Sequence, residues 1–311
     1  MYLKVQPVSE YFKIRASQIQ FLKKIPFYYQ SKDGEFLLYK KTGEVLDETR
    51  ATQTRHPQLF IDVKDKDQAL KELTRGLNME FAKQVAEGGL AQIKAALANI
   101  VREALTPGQE STMRALPETI DILLKNTDRD HAAMEFLSKL ASTSSIVVEH
   151  TVNVTALTLQ YCFSMGLSEK ETTTLALCAL LHDVGVSTLH SSILETRERL
   201  TEKQYKQYKT HAEAGHDMII LNTDFNIAVA NVALEHHERL DKSGYPNGTD
   251  IICRESQLIG FIDCYESLTY RDKNFRKAKT PFSTLNLIKE EVISGKFSPQ
   301  IFKEFTSCLT R

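Results

Sequence analysis

The chain has almost no net charge, few cysteines and no long apolar run, and each lack excludes something. Thirty-nine basic residues against forty acidic ones leave a formal charge of −1. A protein that coats DNA through its phosphates needs a clear basic excess, so no DNA partner is expected, although a local anion site is compatible with this balance. The longest apolar run, Leu175 to Leu181, falls far short of the ~20 residues that span a bilayer, so no membrane insertion is expected. The opening stretch MYLKVQPVSEYFKIR has no apolar core of the kind a secretory leader carries. Cysteine occurs only at Cys162, Cys178, Cys253, Cys264 and Cys308, an odd number with no CxxC pair. That usage predicts reduced thiols and a cytoplasmic location, not a disulfide scaffold.

What is present predicts a folded protein. A 42% hydrophobic content and 25% charged residues are ordinary for a globular chain, and 311 residues suffice for two domains. The first ~65 residues read as strands separated by Gly-bearing turns: PFYYQ, the turn SKDG, EFLLYKK, the turn TGE, then VLD and Phe60–Val63. From about Asp65 the apolar period becomes helical, with a break expected at Gly88–Gly89 and an end at Pro107–Gly108. Helical patterning resumes after Pro117 and runs almost to the C-terminus. The expected class is α+β: a small, partly β N-terminal module over residues 1–130 and an all-helical C-terminal domain over 131–311. The helical segment 65–105 is a candidate for homodimerisation.

Histidine is concentrated where the helices are. Seven of the nine histidines fall between His150 and His237. Ser168–Glu171 has the capping-box pattern and opens a helix on which Leu175, Cys178, Ala179 and His182 share one face, with Asp183 directly after. Thr201–Gln204 repeats the pattern and starts a helix through His211, whose neighbour one turn on, Gly215, would leave room beside the imidazole. Asp224 is the expected cap of the next helix, at whose end His236 and His237 stand side by side. Adjacent helical residues diverge by ~100°, so both reach one site only at a helix terminus, which KSGYPNG supplies. Upstream, Ile146, His150, Val154 and Leu157 form a stripe with one histidine in it. Downstream, Ser256, Ile259, Gly260, Asp263 and Ser267 share a face. One inward histidine is usually a hydrogen-bonded core residue, and His190 and His216 read as such or as surface residues. Five inward histidines with two inward aspartates are different, because a metal centre satisfies them together.

These residues resemble a known family. His182-Asp183, with His150 before and Asp263 after, is similar to the HD phosphohydrolase superfamily, and HHERLDKSGYP at 236–246 resembles its HD-GYP branch. The resemblance covers roughly residues 145–280. It implies a helical bundle that holds two divalent ions, iron first and manganese next, and that hydrolyses cyclic di-GMP to pGpG or GMP. By the same resemblance His150, His182, Asp183 and Asp263 would hold one ion. Asp183, as bridging and catalytic carboxylate, would hold the other with His211, His236 and His237. Ions ~3.5–4 Å apart can activate a bridging hydroxide and grip a phosphodiester oxygen. Two such ions with two carboxylates and one hydroxide leave a net charge of +1, suited to phosphate. The absence of thiolate ligands is in keeping with iron or manganese. The run 271–279 resembles the family's RPYRKA segment, which would make Arg271, Lys273 and Arg276 phosphate contacts. Tyr245 would contact a guanine or a protein partner, or else belong to a rigid turn that orients His236 and His237.

Four positions depart from the family pattern. Val186 stands where HDIGK has its lysine, Ile146 where three-metal members have glutamate, Lys242 for a glycine, and Phe275 for the tyrosine of RPYR. Metal ligands are intact while substrate contacts are altered. The leading expectation is therefore a weakly active phosphodiesterase whose N-terminal module regulates it or binds a partner. The alternative is a silent cyclic di-GMP receptor signalling through that module or through the GYP loop. A phosphohydrolase acting on another nucleotide comes third, and the HHE…GYP stretch argues against it.

Overall fold

The computed structural model describes residues 11–44, 46, 57–106, 110–127, 130–140, 145–194, 196, 198–270 and 276–310. The chain divides into two compact units, 1–79 and 80–311. Among the described residues no helix is long and apolar enough to cross a membrane.

In the first unit, strands β1 (Tyr11–Lys13), β2 (Phe27–Gln30), β3 (Phe36–Lys40) and β4 (Leu59–Asp62) form an antiparallel sheet in the order β1-β4-β2-β3. Alternation sends Leu59 and Ile61 inward, where with Phe27 they pack on Ile14, Ile19, Leu22 and Ile25 and on Ala69 and Leu73 of helix α1 (Lys66–Glu87). The opposite face carries Tyr11, Tyr28, Phe36 and Phe60, with Tyr11 stacked on Phe36 at 4.1 Å. Lys40 is buried, but its ammonium donates to the carbonyls of Leu22, Lys23 and Ile25 at 2.6–3.0 Å, so its charge is solvated by backbone. The expected turn at SKDG forms, closed by Ser31 N–H donating to Glu35 C=O at 2.8 Å. Of the expected strand at VLD only Leu46 is described, and it is in no strand, while the stop at Pro107–Gly108 lies outside the described residues.

The second unit is helical. Helices α2 (Leu90–Ala104), α3 (Leu116–Asn126), α4 (His131–Lys139), α5 (Ile146–Ser164) and α6 (Glu169–Leu181) are followed by a short α7 (Ser191–Leu194). Then come α8 (Glu202–Lys209), α9 (His211–Asn222), α10 (Ile227–Glu235), α11 (Arg254–Thr269), α12 (Pro281–Ile293) and α13 (Pro299–Leu309). The break between α1 and α2 falls at Gly88–Gly89, as the sequence pattern predicts. Helix α5 is the axis, packed by α2, α4, α6, α11 and α13. The sequence suggests one inward stripe on it, but nearly every residue is buried. Its polar side chains are made compatible with that core locally, as when Thr155 and Thr158 donate to carbonyls four residues back at 2.8 Å.

Two glycines set the closest approaches. A Cβ on Gly185 would lie 2.0 Å from the His211 carbonyl, and one on Gly260 would lie 2.1 Å from that of His236. Any side chain at either point would push apart the segments that carry the histidines. The space at Gly215 goes to the same purpose. Its Cβ position is 3.2 Å from the Gly185 nitrogen, so it admits backbone and does not make room for the His211 ring as the spacing suggests.

Candidate metal centre

Local signals place the candidate ligands at helix ends. The Ser168 hydroxyl accepts from Glu171 N–H at 3.3 Å while the Glu171 carboxylate accepts from Ser168 N–H at 2.9 Å, which starts α6 as expected. His182 is the C-cap of α6 and Asp183 begins the turn beyond it. Thr201 and Gln204 start α8 in the same way. The spacing suggests one helix from there through His211, yet the structure has two. Thr210 donates both its N–H and its hydroxyl to the Gln207 carbonyl, a tightened turn that ends α8 and leaves His211 in the first turn of α9. Helix α10 is capped by the Asn226 side chain, which accepts from Ala228 N–H at 3.0 Å, and not by Asp224 as expected.

Seven residues then converge. Asp183 lies at the middle and its two oxygens face different groups. Oδ1 is 3.3 Å from His211 Nε2 and 3.6 Å from His236 Nε2, with His237 in the same cluster. Oδ2 is 3.5 Å from His182 Nε2 and 3.9 Å from His150 Nε2. Within each cluster the candidate ligand atoms lie no more than 4.8 Å apart. Asp263 flanks both, at 3.1 Å from His150 Nε2 and 3.9 Å from His237 Nδ1. His190 and His216 stay outside, bonded to Ser192 and Asp217 respectively.

The donor set fits cations. Asp183 Oδ1 and the Nε2 atoms of His211, His236 and His237 are buried with no hydrogen-bond partner among the described residues. Buried polar atoms seldom remain in that state, and four aimed at one point are satisfied together by a bound ion. The ring tautomers agree. Nδ1 of His182, His211 and His236 faces the carbonyls of Ala179 at 2.8 Å, Tyr208 at 2.6 Å and Val232 at 3.0 Å. A carbonyl only accepts, so Nδ1 carries the proton and Nε2 presents its lone pair inward. Burial pushes His182 down to about 4 and also lowers His211 and His237, which keeps these imidazoles neutral. Burial alone would raise Asp183 and Asp263. The histidines around them outweigh it, and both carboxyls are held below their ordinary value.

Sequence reasoning missed the layer behind His150. Its Nδ1 meets Glu266 Oε2 at 2.5 Å, the other Glu266 oxygen accepts from Asn153 Nδ2 at 2.8 Å, and Asn153 Oδ1 accepts from buried Lys94 at 2.6 Å. Burial disfavours charge on His150, but Glu266 and Asp263 outweigh it and raise its pKa well above the ordinary value. A chain from α2 through α5 to α11 thus fixes the orientation of one imidazole. Glu266→Gln keeps the shape and removes the charged acceptor. Its expected effect is a 10–100-fold loss of metal affinity, roughly the usual cost of such a change, read by titration of the metal-free protein with manganese.

The loop after His237 is built on Glu238, also missed. This buried carboxylate accepts from the N–H groups of Asn247, Gly248 and Thr249 at 2.6, 3.1 and 3.2 Å. Tyr245 leans on His237 with ring centroids 4.6 Å apart and does not line the cavity described below, an arrangement that suits the orienting alternative. Lys242, in place of the family's glycine, holds φ +67°. Left-handed backbone costs a non-glycine residue ~1–2 kcal/mol, partly offset by the entropy glycine loses on folding. Lys242→Gly is expected to stabilise the fold by about 0.5–1 kcal/mol, raising Tm by roughly 1–3 °C, checked by calorimetry. Arg276 donates to the Ser267 carbonyl at 2.5 Å and likewise does not line the cavity. Arg271, Lys273 and Phe275 lie outside the described residues.

A cleft of about 800 Å³ opens onto the centre. Asp183, Asp263, His150 and His237 form its floor, while Ile146, Val147, Val186, Ile193 and Leu200 form apolar walls beside Tyr205, Tyr208 and Tyr270. Arg199, another cation the sequence reading passed over, stands exposed at its edge.

The HD domain family model matches residues 135–301. "Cyclic di-GMP phosphodiesterase PA4108" of Pseudomonas aeruginosa is 25% identical over 221 residues, 70% of this chain and 52% of its own. "3'3'-cGAMP-specific phosphodiesterase 1" of Vibrio cholerae is 27% identical over 172 residues, 55% of this chain and 39% of its own. The chain therefore spans about half the length, or less, of these curated relatives. The solved structure of Bd1817, an HDG"Y"P protein from Bdellovibrio bacteriovorus, superposes with a TM-score of 0.62 at 16% identity, covering 97% of this chain and 100% of that one, a likeness of fold. The chain belongs to the HD domain family.

Proposed function

We propose that the chain is a metal-dependent phosphodiesterase that hydrolyses cyclic di-GMP, slowly, to pGpG or GMP. The observation that carries this reading is Asp183, whose two carboxylate oxygens each face a separate cluster of inward Nε2 atoms. His150, His182, Asp183 and Asp263 would hold one divalent ion, and Asp183, His211, His236 and His237 the other. Iron is the first candidate and manganese the second. Bound there, the ions would supply Lewis acidity toward a phosphoryl oxygen and a hydroxide nucleophile at neutral pH. The chain's own residues do the rest. Carbonyl-bonded Nδ1 atoms keep three imidazoles in the ligating tautomer, Glu266 orients a fourth, and the apolar walls take the base while excluding bulk water. Residues 131–311 carry this activity in a cytoplasmic protein. Residues 1–130 would regulate it or bind a partner, and Arg271 and Lys273 are the candidate residues for binding the substrate phosphates.

A second reading, a silent receptor, is favoured by Val186, which places an apolar side chain in the cleft where the family pattern has lysine. Relatives named for cyclic di-GMP and for 3'3'-cGAMP make both nucleotides relevant test substrates. The deciding experiment uses protein purified without oxygen and loaded with ferrous iron or manganese. Each nucleotide is followed by chromatography over hours beside a His182→Ala/Asp183→Ala control. Linear product formed from cyclic di-GMP only by the intact protein is the expected result. Intact nucleotide that nevertheless binds fully metal-loaded protein would replace the enzyme with the receptor.

A further inference from the structure

The cleft lacks the lysine that would meet the scissile phosphate, and another donor stands in it. Tyr208, at the end of α8, lines the cleft together with Val186, Asp183, Asp263 and His237. Its ring lies 4.7 Å from that of His211 and 6.3 Å from that of His237, against the Asp183 Oδ1 side of the centre. The placement is rigid, because the Tyr208 carbonyl is the group that accepts from His211 Nδ1 at 2.6 Å. Its hydroxyl, in contrast, makes no hydrogen bond to another described residue and is not among the buried atoms left without a partner, as for a phenol that opens to the cleft. An unbonded O–H at the wall of a cleft whose floor is a metal-ligand set has a natural acceptor in an oxyanion held on that floor.

We infer that the Tyr208 hydroxyl donates a hydrogen bond to a non-bridging phosphate oxygen of the substrate, in the role that a lysine at position 186 would otherwise fill. This rests on the phosphodiesterase reading for the nucleotide but not for the phosphate group itself. A neutral phenol donor contributes less than an ammonium, about half as much. The site therefore keeps phosphate recognition at lower turnover, and Tyr208 and Val186 become one functional pair.

The test uses manganese-loaded protein and two probes, inorganic phosphate and cyclic di-GMP. Tyr208→Phe keeps the ring against His211 and removes only the hydroxyl. It is expected to weaken phosphate binding about three- to tenfold, as for the loss of one hydrogen bond, with manganese content unchanged. With cyclic di-GMP, kcat falls more than KM rises, since the bond strengthens as charge develops on the phosphoryl oxygens. Adding Val186→Lys to Tyr208→Phe is expected to restore both phosphate affinity and turnover. Unchanged phosphate affinity in Tyr208→Phe with full manganese content would overturn the inference. Phosphate binding that depends on Tyr208 in a protein that leaves cyclic di-GMP intact would uphold it and overturn the choice of substrate instead.

Discussion

Asp183→Ala is expected to abolish turnover, by about 10³-fold or more, and to leave at most one ion bound per chain. Changes one layer behind a metal ligand commonly cost roughly 10–100-fold, and this carboxylate faces both clusters directly. The fold should survive. Of the rings beside it, His150 is the one whose pKa is raised, and that ring keeps Asp263 at 3.1 Å and Glu266 at 2.5 Å as partners, so removing Asp183 strands no charge, and the helices around it are held by their own caps and by the contacts at Gly185 and Gly260. Asp183→Asn gives the matching control, because it keeps the volume and loses the charge. Metal content by elemental analysis and thermal unfolding separate loss of the centre from loss of the protein. Full metal content in either variant would mean that Asp183 is a core residue and that the ions, if any, lie elsewhere.

Val186→Lys should act in the opposite direction. Val186 is buried at the cleft wall, close in sequence to Asp183, whose carbonyl accepts its N–H at 3.0 Å. A lysine there would extend into a cleft floored by carboxylates and by a bound phosphate, which offset the cost of desolvating its ammonium. One well-placed charged donor to developing phosphoryl charge is worth ~10²–10³ in rate, and a gain of that order in kcat is the expected result. Metal content should not change. A large gain would show that the natural protein is an impaired enzyme with a complete centre. No gain, with cyclic di-GMP still bound, would favour the receptor.

The parts of this centre that could be read in the sequence are those with local causes. Two capping boxes set where α6 and α8 begin, so the position of His182 at a helix end follows from counting residues. The pair His236-His237 falls just past α10 for the same reason, since side chains ~100° apart meet at one point only where the helix stops. What stayed hidden depends on tertiary packing. Glu266, three residues after Asp263, has the spacing of any helical neighbour, and only the packing of α11 on α5 buries it against His150. Tyr208 looks like one more residue of an amphipathic helix until α8 ends beneath it. Gly215 looked like a gap beside an imidazole, but the Gly185 backbone, distant in sequence, occupies that space. Asp224 and Asn226 are equally good caps by composition, and the choice between them rests on where the chain leaves Thr223.

The central claim is that one carboxylate joins two ion sites, and electron paramagnetic resonance of the manganese-loaded protein tests it most directly. Two ions ~3.5–4 Å apart are magnetically coupled. The account predicts two manganese ions per chain with a coupled spectrum in the wild type, replaced by at most a single uncoupled ion in Asp183→Ala. A wild-type protein that binds only one ion, or two whose spectrum is that of isolated manganese, would contradict it.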